Sequence, residues 1–259
     1  MKVTLLQKKG TVEGKEFRNQ LDAVIRKIIG NLSATATFSS FTNQGWATLY
    51  LDGEDAEVVI ELLSRTLHVA LIDASNVELH GNYRGIVKNL TTSGIAVDIG
   101  IEHPKPTPVN VNLSSLQAQL ADGQKISTRR ITDHYCISPG TPISIRVTQV
   151  SAGQIEGCLS DSQISLFSRW ILSGLERIQV LNCLPSQLNF AMRKTQLERD
   201  TVRSEQLSLI VQSILCKFGT DAIGLIPRIG SILRKSELSP FIPSRVQEEC
   251  RTWNTNDAE

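Results

Sequence analysis

Gly94-Ile95-Ala96-Val97-Asp98-Ile99-Gly100, preceded by Gly85-Ile86-Val87, is the stretch whose reading decides the fold. Glycines bracket short β-rich runs, and no stripe of apolar residues at helical spacing passes through them. Similar pieces surround it. Strands are expected at Tyr83–Leu90, Ile95–Ile101, Val109–Leu113, Ile143–Val150 and Ile155–Leu159, with short helices near Ser114–Ala121 and Thr128–Tyr135 between the third and fourth. Five short strands with a helical insertion suit a small closed barrel, which leaves no sheet edge to aggregate.

On either side the pattern changes. Upstream, Val3–Leu6 reads as a strand, and Phe17, Leu21, Val24, Ile25, Ile28 and Ile29 recur at helical spacing until Gly30-Asn31. Strands near Ser33–Ser40 and Trp46–Leu51 follow. Asp52 is expected to cap a second helix with an inner stripe of Val59, Ile60, Leu63 and Leu67. Downstream, Ser160 and Gln163 have capping-box spacing ahead of a helix to Glu176. A strand at Ile178–Leu181, a helix at Pro185–Leu197, strands near Val202 and over Leu209–Phe218, and a helical end complete the chain's regular part. The expected fold class is α+β, a central five-stranded barrel flanked by two β-α-β-β-α modules. The expected units are 1–76, 77–160, 161–235 and a loose polar tail at 236–259, in which Pro240-Phe241-Ile242-Pro243 and Trp253 are candidates for docking.

The two outer modules share more than an order of elements. Gly53-Glu54-Asp55-Ala56 and Gly219-Thr220-Asp221-Ala222 each open a final helix, and Ile60, Leu63 and Leu67 match Ile226, Ile229 and Leu233 at the same offset. An internal duplication accounts for this. Pro227, at the position of Glu61, is expected to kink or break the second copy's helix.

Bulk properties limit the function. The chain of 259 residues has a net charge of +1, which excludes a strongly basic protein that coats nucleic acid, so any such contact needs a local cationic patch. No apolar run approaches the roughly 18 residues of a membrane span, and Val3–Leu6 is too short for a secretory core. A cytoplasmic location is expected. The five cysteines, Cys136, Cys158, Cys183, Cys216 and Cys250, have no C-x-x-C pair and are expected to be buried or idle thiols. Four scattered histidines offer no metal-ligand spacing. Gly219–Gly224 has P-loop glycine spacing, but Leu225 and Ile226 stand where Lys and Ser/Thr are needed. With no G-x-S-x-G elbow either, no catalytic residue, cofactor or metal is expected and the chain reads as a non-enzyme.

With Gly140 ahead of Ile143-Ser144-Ile145-Arg146-Val147 and Gly157-Cys158-Leu159-Ser160 at the close, the middle third resembles the S-one-type RNA-binding barrel, a branch of the OB fold. That resemblance implies an OB-type barrel whose curved face binds single-stranded RNA through stacking rings and basic residues. This chain has Ile95 and Ala96 where the family's second strand carries an aromatic, and no His over Val109–Leu113. Charge offers a second route. From Gly81 to Val150, seven basic residues (Arg84, Lys88, Lys105, Lys125, Arg129, Arg130, Arg146) face four acidic ones (Asp98, Glu102, Asp122, Asp133). Candidate nucleic-acid contacts are Tyr83, Lys88, His103, Lys105, Lys125, Arg129, Arg130 and Arg146, with the proline-rich His103–Pro108 segment as a connector or a contact arm. The stretch Lys217–Gly230, taken with the order of modules, is similar to an archaeal family defined as domain of unknown function 2110. That likeness implies an archaeal cytosolic protein and brings no catalytic residues.

The leading expectation is a non-enzymatic RNA-binding or ribonucleoprotein-associated factor, with single-stranded or ribosomal RNA as partner. The alternative is a protein-interaction adaptor whose barrel does not bind nucleic acid and whose outer modules or tail dock proteins.

Overall fold

The computed structural model describes residues 1–151 and 153–250; Trp253 lies outside them. The chain opens with β1 (Lys2–Lys8) and α1 (Gly14–Ile29), which buries Phe17, Leu21 and Ile25 at intervals of four. Gly30 ends α1 at φ 54°, where its N–H donates to the Arg26 carbonyl. Strands β2 (Ala34–Phe41) and β3 (Trp46–Gly53) form a hairpin, and α2 (Ala56–Thr66) packs Val59 and Leu63 beneath it. The sheet is antiparallel in the order β1-β3-β2. Asp55, not the expected Asp52, stands at the N-cap of α2, and its carboxylate accepts from the Ser33 amide at 2.7 Å rather than from the helix. Gly53 causes the shift. At φ 120° it brings the chain so close to Ser33 that a Cβ would lie 2.3 Å from that carbonyl.

After β4 (Ile72–Asp73) come β5 (Asn82–Thr91), β6 (Gly94–Asp98), β7 (Ile101–His103) and β8 (Val109–Asn112). Next are α3 (Leu113–Leu120), α4 (Thr128–His134), β9 (Pro142–Ser151) and β10 (Gln154–Leu159). Five of these strands close a barrel in the order β10-β8-β6-β5-β9, all antiparallel except β8 beside β10. That order is the OB type the resemblance implies. Val87, Val97, Val109, Val111, Ile145, Val147 and Ile155 fill its interior, and Leu116, Leu120, Ile131 and Tyr135 of the insertion join the same core. The strand expected over Ile95–Ile101 is split at Gly100, φ 90°, after which β7 leaves the barrel and pairs in parallel with β4. Lys88 is the extra residue of a bulge, since Val87 opposes Val97 while Asn89 opposes Ala96.

Helix α5 (Asp161–Leu172) buries Phe167, Trp170 and Ile171. Half of its expected capping box forms: Ser160 accepts from the Gln163 amide, but the Gln163 side chain turns to the Ser144 amide at 3.0 Å. The chain then runs through β11 (Arg177–Leu181), α6 (Pro185–Lys194), β12 (Thr201–Ser208), β13 (Val211–Cys216), α7 (Ala222–Gly230), β14 (Glu237–Phe241) and α8 (Pro243–Glu249). The strand expected to reach Phe218 stops at Cys216, leaving Phe218 91% exposed. The tail expected to be loose from Ser236 is ordered through Cys250. Strand β14 pairs with β11, and Phe241, fully buried, packs on Tyr135 and Trp170.

The second sheet has the order β12-β13-β11-β14, so β11, β12 and β13 repeat the 1-3-2 arrangement of β1, β2 and β3. The match extends further. Val69 bridges Leu5 antiparallel, on the side of β1 where β14 lies beside β11. Asp55 and Asp221 are both N-caps, and Leu63 and Ile229 are both fully buried. Pro227 sits inside α7 without ending it, because a nine-residue helix loses a single internal hydrogen bond there.

The barrel is wedged against both units. Gln179 of β11 donates to the Cys136 carbonyl at 2.8 Å and to Thr141 Oγ1 at 2.9 Å, and the Arg177 guanidinium lies 4.8 Å from the Trp170 ring centre. From β1, Lys8 Nζ reaches Asp98 at 2.8 Å while standing 4.0 Å over Trp46. The outer units also touch each other, since Gln7 accepts from the Leu209 amide at 2.9 Å.

Candidate nucleic-acid interface

Register around the barrel fixes what its wall offers. Asn89 opposes Ala96, Ala96 opposes Asn110, Asn110 opposes Glu156, and Glu156 opposes Gln149. Four of these five are exposed polar side chains, and none is a ring or a cation. The face that would stack bases is therefore a row of amides with one carboxylate. Asn112, the next outward residue on β8, is committed to capping α3 through the Ser115 amide at 2.8 Å.

The expected contacts are divided among several surfaces. Tyr83 is half-buried on the core, and its hydroxyl accepts from the Glu78 amide at 2.8 Å, so the ring is a strut rather than a platform. Lys88 projects into a groove of about 190 Å³ where the barrel meets both outer units, shared with Lys8 and Asn182. His103 ends β7, exposed. Lys105 stands at the β9–β10 turn, where a Cβ on Gly153 would lie 3.4 Å from its Nζ. Arg146 turns to Asp161 at 3.5 Å. Arg84, counted above in the charge balance, is spent inside: it donates to the Leu207 carbonyl at 2.9 Å, and burial lowers its pKa.

Three cations remain together. Lys125, Arg129 and Arg130 lie on and just before α4, at the end of the barrel beside the β5–β6 turn. Ser127 caps α4, and Thr128 Oγ1 donates to the Thr92 carbonyl at 3.1 Å, tying the helix to that turn. Between them lies a mostly apolar groove of about 450 Å³ lined by Leu90, Thr91, Thr92, Thr128, Arg129 and Asp133, with Lys125 and Arg130 outside its lining. The Arg129 side chain is 91% exposed and meets Asp133 only at 3.8 Å. A surface pair that loose is worth little and yields easily to another anion. Lys125 makes no ion pair among the described residues. Arg130 is different. It holds Glu249 of α8 at 2.6 Å, and His134 meets the same carboxylate oxygen at 2.9 Å. Bonds from Arg130 and then His134 hold the Glu249 carboxyl below its usual pKa.

All five cysteines are buried. Burial pushes the Cys136 thiol up to about 12 and those of Cys183 and Cys216 to about 11, which disfavours the reactive thiolate. Among the described residues no three His, Cys, Asp or Glu side chains converge as a metal site would require, and no helix is long and apolar enough to cross a membrane.

The class defined here is an OB barrel held between two βαββα units, with a small groove at one barrel end between α4 and the β5–β6 turn. Residues 77–171 match the DUF2110 central domain and residues 175–240 the DUF2110 C-terminal domain, and the chain belongs to that family. Comparison with the curated proteins finds no match. Among solved structures, one similar chain is from the crystal structure of the a/eIF2alpha-aDim2p-rRNA complex from Pyrococcus horikoshii OT3. The two are 14% identical, with a TM-score of 0.26, and the likeness covers 46% of this chain and 64% of that one. A superposition that loose carries no inference about ligands.

Proposed function

We propose that this protein is a non-enzymatic factor that grips single-stranded RNA at the α4 end of its barrel. The supporting observation is the groove between the β5–β6 turn and α4, where exposed Arg129 meets Asp133 only loosely, and Lys125, three residues before α4, forms no ion pair among the described residues. The turn between the first two strands of an OB barrel is one of the loops through which such barrels bind oligonucleotides. Arginine and lysine there neutralise phosphates, threonine hydroxyls donate to phosphate or sugar oxygens, and the outer-wall amides of Asn89 and Asn110 offer hydrogen bonds to bases. Without stacking rings, each base forgoes about 1–3 kcal/mol, so recognition is mostly of the backbone and the affinity is modest.

The test is a salt titration of a labelled single-stranded oligoribonucleotide. Two or three phosphate contacts give a slope of log K against log salt of about −1.5 to −2. In a Lys125→Glu, Arg129→Glu variant the binding should fall to background. A slope near zero, or unchanged affinity in that variant, refutes the proposal. A second reading, an adaptor whose barrel ignores nucleic acid, is favoured by the row of amides and one carboxylate across the wall, which holds no ring or cation, and by the engagement of Arg130 and Arg146 in ion pairs. It calls for a protein partner in co-purification with no RNA retained.

A further inference from the structure

We propose that the free edge of β2 is a docking site for an extended acidic segment of another protein, which adds to the N-terminal sheet as a fourth strand. This does not rest on RNA binding by the barrel. β2 pairs with β3 alone and stands at the end of its sheet. Its eight residues, Ala34-Thr35-Ala36-Thr37-Phe38-Ser39-Ser40-Phe41, contain no charge and no proline. Proteins ordinarily guard such an edge with charges, prolines or bulges. The second copy of the unit shows that guard. Its equivalent strand β12 carries Arg203 and Glu205 bonded to each other at 2.7 Å, and its register shifts twice. β2 shifts register once, at Ser39, which leaves Ala34–Phe38 as a regular, uncharged edge that the fold does not impose.

The partner's chemistry comes from the groove beside that edge. About 440 Å³ of space between β2 and α1 is lined by Arg18, Asp22, Arg26, Ala36, Thr37 and Phe38. Arg18 is held with its guanidinium 4.9 Å from the Phe38 ring centre, and neither Arg18 nor Arg26 forms an ion pair among the described residues. Two arginines and one aspartate leave the wall net positive. Eight residues of helix separate the arginines by about 12 Å, and four residues of strand span about 13 Å. An added strand would thus set carboxylates at positions i and i+4, on its α1-facing side, against both guanidiniums, while its backbone bonds to β2. A second copy of this chain is disfavoured because it would bring the same positive wall to the seam.

The probes are labelled nine-residue Val/Thr peptides titrated by anisotropy against the full chain. One has Glu at positions three and seven, another Lys at those positions, and a third Glu at positions three and four. The first should bind at least tenfold more tightly than the others. The Arg18→Glu, Arg26→Glu variant, with unchanged circular dichroism, should lose at least tenfold for it, and hydrogen exchange should slow over residues 34–41 on binding. Equal binding of the Lys peptide, full affinity in the variant, or protection elsewhere overturns the proposal. So does protection of 34–41 by concentration-dependent dimerisation without peptide, or RNA binding that depends on Arg18 and Arg26.

Discussion

At the scale of single residues, Glu249 shows how the end of the described chain is held. Its lowered pKa means that the stabilisation of the α8 contact is fully present above the ordinary glutamate range and is lost as the pH falls through the depressed folded value. Protection factors of residues 243–250, with the intrinsic pH dependence of exchange removed, should therefore fall as the pH is taken below the ordinary glutamate range, and Glu249→Gln should show the low protection at every pH. Asp98 is a second such point. It is 6% exposed and accepts from the Gly100 amide at 3.0 Å as well as from Lys8. Asp98→Ala should cost about 2–3 kcal/mol in urea denaturation, because a half-covered ammonium and a buried amide lose their partner. Gly94, at φ 143°, has room for no Cβ, which would stand 2.1 Å from the Val111 carbonyl. Gly94→Ala should cost about 2–4 kcal/mol, whereas Gly123→Ala, at φ 78° in open space, should cost about 1 kcal/mol. The Gly-bracketed strands made Gly94's turn legible in the sequence. The partners of Asp98 and Glu249 were not, because Lys8 is 90 residues away from the first and Arg130 119 from the second.

At the scale of elements, apolar periodicity read the helices well and the strand ends poorly. Phe17, Leu21 and Ile25 predicted α1 because a helix repeats its face within one segment. Strand β14 escaped because Glu237-Leu238-Ser239-Pro240-Phe241 contains a proline and only two large apolar side chains. Its strand character comes from pairing with β11, and Pro240 is tolerated because β14 is an edge strand. Phe241→Ala, which empties a pocket against Tyr135 and Trp170, should cost about 3–5 kcal/mol by chemical denaturation, far more than a loose tail would allow. The cationic site was half legible. Adjacency in sequence placed Lys125, Arg129 and Arg130 on one rim, but nothing local announced that Arg130 is bonded to α8 or that half-buried Arg84 donates to the Leu207 carbonyl.

At the scale of the molecule, one order of strands occurs twice and the two copies pack against a barrel inserted between them. The repeat was legible at Asp55/Asp221 because capping chemistry is local. Its last part, Val69 beside Leu5 matching β14 beside β11, shows only in the pairing. The arrangement leaves the barrel's α4 end and its β5–β6 turn facing outward while the units cover other parts of the wall. The direct measurement is a backbone NMR titration of the full chain with a single-stranded oligoribonucleotide at low salt. Shifts are expected at Leu90–Gly94, Asn110 and Lys125–Arg130, and they should vanish in high salt. Shifts absent from that set, or confined to the outer units, would contradict binding at the α4 end.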